Sequence, residues 1–197
     1  IMGDRPSHPE LLDWLAVEFR ESGWDVKRFY RLLVTSAAYR QAASVTSEKL
    51  ARDAGNRLLS RGPRFRMDGE ALRDGALFTS GLLVEKIGGP SVKPYQPPGI
   101  WEEATFGNKK YAQDKGEALY RRSLYVFWRR IVGPTMFFDA PARSVCSVKP
   151  TRTNTPLHAL STLNDPTYVE AARVLAEQVM LKEKEPENRL HAAFQRI

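Results

Sequence analysis

Two proline-started helices in direct succession constrain this chain more than any other feature. In TNTPLHALSTLNDPTYVEAARVLAEQVM, Thr155-Pro156 and Asp165-Pro166 each pair a polar cap residue with proline at the first helical position. The cap oxygen accepts orphan backbone N–H groups of the first turn, and proline lacks only an N–H that would be unpaired there. The region therefore reads as a short helix, a corner and a longer helix. Leu157, Leu160 and Leu163 share one face of the first, with Ala159 letting a neighbour approach. From Tyr168 onward, Ala171, Ala172, Leu175 and Val179 continue an apolar stripe of helical period. Asn164 stands in the corner, where its amide can bond the backbone.

The residues ahead of these helices, from Phe138, concentrate unusual choices: a short acidic turn at Asp139, Cys146, and the cations Arg143, Lys149 and Arg152. Cations converging on a helix N-terminus make an anion site. Its candidate residues are Arg143, Lys149, Arg152, Thr153, Asn154, Thr155, His158 and Asn164. The plainer reading makes Asn154, Thr155, Asn164 and Asp165 caps and corner residues, with Asp139 or Asp165 itself occupying the cationic site. Read as an enzyme, the chain would offer Asp139 and Asp165 as the acid–base pair, with Arg143, Arg152 and Asn154 positioning an anionic group. General acid–base catalysis of that kind requires two carboxyls converging in one pocket.

Taken in order, PSHPELLDWLAVEFRESG predicts a helix opened by a Ser7–Glu10 capping box and ended by Gly23. His8 is a capping or turn residue there. Leu11, Trp14, Leu15, Val17 and Phe19 surround a broad face, which predicts packing on two sides. Asp25 opens a second helix with a Val26, Phe29, Tyr30, Leu33 and Val34 stripe, so residues 1–40 form a helical hairpin. Residues 41–67 are polar, with helical pieces expected over 48–53 and 56–59. Asp68 caps a central helix read over 68–87, in which Ala71, Leu72, Ala76 and Leu77 face inward. Glu70, Arg73 and Asp74 form a charged surface network on it.

Gly88-Gly89-Pro90 closes that helix and begins a long connection over 88–116 that contains Pro90, Pro94, Pro97 and Pro98. Its aromatics Tyr95, Trp101, Phe106 and Tyr111 give an irregular segment something to bury. Long ordered loops in compact domains are often functional. All four aromatics would suit stacking on sugar rings, with packing under the loop the plainer reading, and Tyr95 and Trp101 are the binding candidates among them. LYRRSLYVFWRRIV fits a strand about as well as a helix, and its helical surroundings favour helix. The fold expected is mainly α: a single irregular multi-helix domain over 1–197, with a long Pro-rich connecting loop and a helical part from 117 onward.

Composition narrows the function. One cysteine leaves no internal disulfide, haem-attachment pair or cysteine-based zinc cluster, and Cys146 reads as a small buried hydrophobe. His8, His158 and His191 stand at no metal-ligand spacing, so no metal is expected. No apolar run is long enough to span a membrane. Residues 109–152 carry ten Lys/Arg against three Asp/Glu, a net of +7, while the remainder carries twenty of each. The excess thus lies in one segment and predicts a basic surface. No nucleic-acid-binding motif accompanies it.

The segments PSHPELLDWLA, YRQ, GGPSV with PYQPPGIWEEA, LYRRSLYVFWRR, FDAPARSVC and TNTPLHALSTLNDPTYVEAAR run over most of the chain. In them the chain resembles the planctomycete secreted domain family, domain of unknown function 1553. The resemblance implies a central piece of a larger bacterial protein, exported and therefore secreted or periplasmic. It also implies c-type haem in a separate domain, a further domain of unknown function, and no cofactor in this piece. The family pattern has Gln where this chain has His158, and it is more Arg-rich near Lys149-Pro150. The expected function is an accessory module binding an acidic polysaccharide or a partner domain of the same parent protein. The alternative is a hydrolase or oxidoreductase acting on polysaccharide.

Overall fold

Helix starts follow local signals: proline in the first turn at Pro9, Pro156, Pro166 and Pro186, and side-chain caps at Asp25, Thr46 and Asp165. In the computed structural model, which describes residues 5–129, 132–134, 137–139 and 152–197, eight α-helices form and no sheet is present among the described residues. They are α1 (Pro9–Glu21), α2 (Val26–Thr35), α3 (Ser47–Arg52), α4 (Gly69–Thr79), α5 (Ile100–Ala104), α6 (Pro156–Asn164), α7 (Pro166–Lys182) and α8 (Pro186–Arg196). The protein is mainly helical. The chain divides into two compact units, 1–65 and 66–197.

In the first unit, α1 ends in a Schellman motif. Gly23 N–H donates to the Arg20 carbonyl and Trp24 N–H to that of Phe19, with both Gly23 and Trp24 at positive φ. The Trp24 ring meets Phe19 edge-on at 5.2 Å, the apolar contact such a cap brings, and Phe29 of α2 meets Phe19 at 4.9 Å. Asp25 caps α2 through the Arg28 N–H. The Ser7–Glu10 box does not form: Ser7 bonds the His8 ring instead, and His8 holds the cap position without a side-chain cap bond. Nor is α1 covered on two sides, since none of its residues is buried and Trp14 keeps 51 % exposure.

After α3, side chains hold an irregular loop by its carbonyls. Buried Arg61 donates to Asp53 and Ala54, Gln41 to Leu59 and Lys49 to Ser60. The helical piece expected over 56–59 is a pair of turns. Asn56 and Leu59 both take positive φ there, while the Asp53 carboxylate accepts the N–H groups of Arg57 and Leu58.

The second unit is built on α4 against α7, with α6 and α8 flanking α7. Val126, Phe137 and Tyr168 form its core cluster, with Leu72, Ala76 and Trp128 packed against it. The central helix stops at Thr79 rather than running to 87. Gly81 turns left-handed (φ 75), and Leu82 and Leu83 both donate to the Leu77 carbonyl. From α7, Gln178 donates to the Ser80 carbonyl at 2.8 Å, capping that end.

Residues 119–129 of LYRRSLYVFWRRIV do not form the expected helix. Two short 3-10 turns, Gly116–Tyr120 and Ser123–Tyr125, are separated by extended residues. Arg121 and Val126 form isolated parallel bridges with Val84 and Val92. The reason lies in Arg73. Instead of joining a surface network, it has no exposed surface and donates to the carbonyls of Leu119 (2.7 Å) and Arg121 (2.9 Å) and to Ser123 Oγ (3.3 Å). Those carbonyls would be occupied inside a continuous helix. Asp74 completes the anchor by accepting from Ser123 N–H and Oγ at 2.7 and 2.6 Å.

Candidate functional site

The stretch around Phe138 and α6 closes on itself. Thr153 donates to both carboxylate oxygens of Asp139, by its N–H at 2.6 Å and its hydroxyl at 2.8 Å. These bonds, the backbone one first, hold the Asp139 carboxyl below its ordinary range. Asp165 accepts from Thr167 N–H at 2.9 Å as the cap of α7. Arg152 Nε donates to Asp68 at 3.3 Å, so Asp68 pairs with a distant cation rather than capping α4 by its side chain. Arg66 donates to the Asn154 amide oxygen.

His158 stacks on Phe138 with ring centroids 4.6 Å apart. Thr155 holds the cap position of α6 without a side-chain bond, and Asn164 donates back to the Leu160 carbonyl at 2.8 Å. Of the four residues read as caps and corners, Asp165 caps by its side chain and Asn164 bonds the backbone, whereas Thr155 makes no side-chain cap bond and Asn154 accepts from Arg66. Arg143, Cys146 and Lys149 lie outside the described residues.

The cationic excess is also partly internal. Arg121 is buried and donates to the carbonyls of Lys86, Gly88 and Pro90, with its guanidinium 3.9 Å from the centre of the Tyr125 ring. Arg122 pairs with Asp74, and Arg129 lies over the Trp101 ring at 5.3 Å. Arg73 is buried as well. Burial pulls its pKa down and Asp74 opposes that, but a guanidinium stays charged across the physiological range. A formal charge read from sequence therefore overstates the field that reaches a ligand.

Open space with convergent polar groups is found instead on the Pro-rich connection. Pro94 is fully buried, and Tyr111 donates its hydroxyl to the Pro94 carbonyl at 2.6 Å. Lys93 and Asp114 exchange two bonds: Lys93 N–H to the carboxylate, and Asp114 N–H to the Lys93 carbonyl. Trp101, opening α5 behind left-handed Gly99, is buried. Its Nε1 donates to Gln96 Oε1 at 2.5 Å, and its ring packs on Tyr111 and Phe127. It supports the loop from within rather than offering a face.

Tyr95 is half-buried and stands between two adjoining recesses. One, of about 290 Å³, is lined by Tyr95, Gln96, Pro97, Pro98, Gly99, Glu102, Tyr111 and Gln113. The other, of about 90 Å³, is lined by Pro94, Tyr95, Gln113, Leu119, Tyr120, Pro166, Thr167 and Glu170. Tyr95 and Gln113 line both, so the two recesses adjoin at these side chains and are taken together as the groove. Tyr120 donates to Glu170 at 2.9 Å in the smaller part. Burial raises the pKa of both Tyr111 and Tyr120, so these phenols remain protonated hydrogen-bonding groups rather than nucleophiles.

Sequence reasoning singled out Tyr95 but missed Gln113, Glu102 and Glu170. Their only local signal is that two fall in the aromatic loop, while Glu170 comes from α7 by folding. A third opening, about 380 Å³ between α4 and α7, is walled by small and aliphatic residues such as Ala71, Gly75, Ala172 and Leu175. Among the described residues no three His, Cys, Asp or Glu side chains gather as metal ligands, and no helix is long and apolar enough to cross a membrane.

Fold and groove together define a mainly helical chain in which the Pro-rich loop, fastened by buried arginines, walls an aromatic and polar groove. The chain belongs to the family described as PSD1, protein of unknown function (DUF1553), whose model matches residues 1–197. No curated protein and no solved structure matches the chain.

Proposed function

We propose that this chain is a non-catalytic polysaccharide-binding module of an exported multidomain protein, with c-type haem carried by a separate domain. The observation that carries the reading is the groove at Tyr95. A half-buried aromatic ring stands between two recesses that supply amides (Gln96, Gln113), carboxylates (Glu102, Glu170) and phenols. Hydroxyl-rich ligands need this mixture: an apolar ring face for their C–H surface, and donors and acceptors at fixed positions for their hydroxyls. Recognition runs through hydroxyl contacts more than through charge, since two carboxylates line the groove and several arginines are engaged internally.

The test is thermal stability of the chain against neutral, carboxylated and sulfated glycans at two salt concentrations, followed by calorimetry on any that shift it. A ligand that binds only the folded state raises the melting temperature. A neutral glycan is expected to do so with little salt dependence, and Tyr95→Ala or Gln113→Ala abolishes the shift. Asp165→Ala, which removes a helix cap, costs about 1 kcal/mol of stability and leaves affinity unchanged. A shift confined to anionic glycans, lost at high salt and insensitive to Tyr95→Ala, would move the site to the basic stretch that contains Arg143 and Lys149. No shift with any glycan would end the polysaccharide reading.

A further inference from the structure

Phe106 is the loop aromatic that neither the core nor the groove wall accounts for. It is 95 % exposed, and its backbone sits at φ +51, in the left-handed region that a bulky residue adopts only under constraint. The constraint is plain. Gly107 N–H donates to the Glu102 carbonyl at 2.8 Å, Asn108 N–H to that of Thr105 at 3.0 Å, and Lys109 N–H to Thr105 Oγ1 at 3.0 Å. The same hydroxyl of buried Thr105 donates to the Trp101 carbonyl at 2.6 Å, which ties the turn to the packed aromatic layer.

A rigid turn thus holds a phenyl ring in water with its backbone under strain. Glycine would suit both the dihedral and the exposure better. What the ring adds is an apolar face held in place before any ligand arrives, and a constrained outlier of this sort points to function. Its place supplies the ligand: the turn that carries Phe106 bonds back to Glu102, whose carbonyl accepts from Gly107 N–H, and Glu102 lines the larger of the two Tyr95 recesses.

We propose that Phe106 is an outer platform of the Tyr95 groove, stacking on the pyranose face of a sugar unit of a chain that extends past Glu102. The inference rests on the polysaccharide reading above and deepens it. It predicts a dependence on ligand length: a mono- or disaccharide filling the recess is expected to bind without help from Phe106, and a longer oligosaccharide to gain from it.

The experiment measures calorimetric affinity across an oligosaccharide length series for the unaltered chain and for Phe106→Ala, Phe106→Trp, Phe106→Gly and Tyr95→Ala. Phe106→Ala is expected to weaken the long oligosaccharides about tenfold and leave the shortest binder unchanged, while Phe106→Trp retains affinity at every length. Phe106→Gly melts no lower than the unaltered chain yet loses the same affinity, separating ligand contact from folding. Equal affinity of Phe106→Ala at all lengths, with Tyr95→Ala inactive, overturns the platform and leaves the groove standing. Absence of glycan binding by the unaltered chain overturns both. Phe106-dependent binding to lipid vesicles without glycan binding would give the ring a different partner and would equally sink the proposal.

Discussion

Arg73 Nη1 donates to the backbone carbonyl of Arg121, 2.9 Å away and 48 residues on, and Arg121 in turn holds three carbonyls of the 86–90 turn. Two guanidiniums in series thus fasten both edges of the long loop to α4. Each is a planar fork with several donors in fixed directions, a geometry that an ammonium cannot reproduce.

Arg73→Met is expected to leave the Leu119 and Arg121 carbonyls buried without this donor, at about 1–3 kcal/mol each. The 66–197 unit should therefore lose several kcal/mol, with Arg73→Lys intermediate. Urea denaturation followed by tryptophan fluorescence measures this. A loss below about 1 kcal/mol, within the range of ordinary surface substitutions and weak contacts, would show that the clamp is not what fixes the loop.

Gly69→Ala tests how closely α4 meets the chain at Phe137. A β-carbon at Gly69 would lie 2.9 Å from both Phe137 Cα and Phe138 N, backbone atoms that cannot swing aside. Alanine normally favours a helix over glycine by about 1 kcal/mol. Here overpacking of about 1–3 kcal/mol outweighs it, so the melting temperature falls. A rise would mean that the 137–138 backbone yields.

Acid sensitivity follows from carboxylates whose pKa values the fold lowers. Asp139 is held down first by the Thr153 N–H and then by the Thr153 hydroxyl, and Asp53 first by the Leu58 N–H. A depressed folded pKa contributes stability that is present above the unfolded value of about 3.9 and is lost as pH falls through the lower folded value. The stability gap between the unaltered chain and Asp139→Asn is therefore constant from neutral pH to about pH 5, then closes below it. Melting temperatures at stepped pH read this directly. A gap that persists at the acid limit would assign the loss to shape rather than ionisation.

What was legible in the sequence was the chemistry that acts within a few residues. Pro156, Pro166 and Asp25 mark helix starts because capping is settled in one turn, and Gly23 marks an end for the same reason, whereas the stop at Thr79 before left-handed Gly81 went unread. Asp165 as a cap is equally local. Arg73 was misplaced because a charged residue on an amphipathic helix is usually solvated, and its real partners lie 46 to 50 positions away. The same distance hid the irregular course of residues 116–129, where apolar periodicity could not separate helix from strand. At the site, Tyr95 announced itself as an aromatic in a proline loop. Glu170 joins it only because α7 folds back to the loop, and no spacing rule links those two positions.

The arginine clamps grip main-chain oxygens at Lys86, Gly88, Pro90, Leu119 and Arg121, and every amino acid carries such an oxygen. The loop's route is thereby uncoupled from much of its spelling: substitutions along it leave the anchors intact so long as Arg73 and Arg121 remain. A frame of that kind lets the groove's walls diversify toward new ligands without rebuilding the scaffold beneath them. Mutational tolerance should accordingly be sharply uneven: Arg73 and Arg121 intolerant, Gly88 restricted by its left-handed φ of +76, and Lys86 and Leu119, which lend only a carbonyl, permissive.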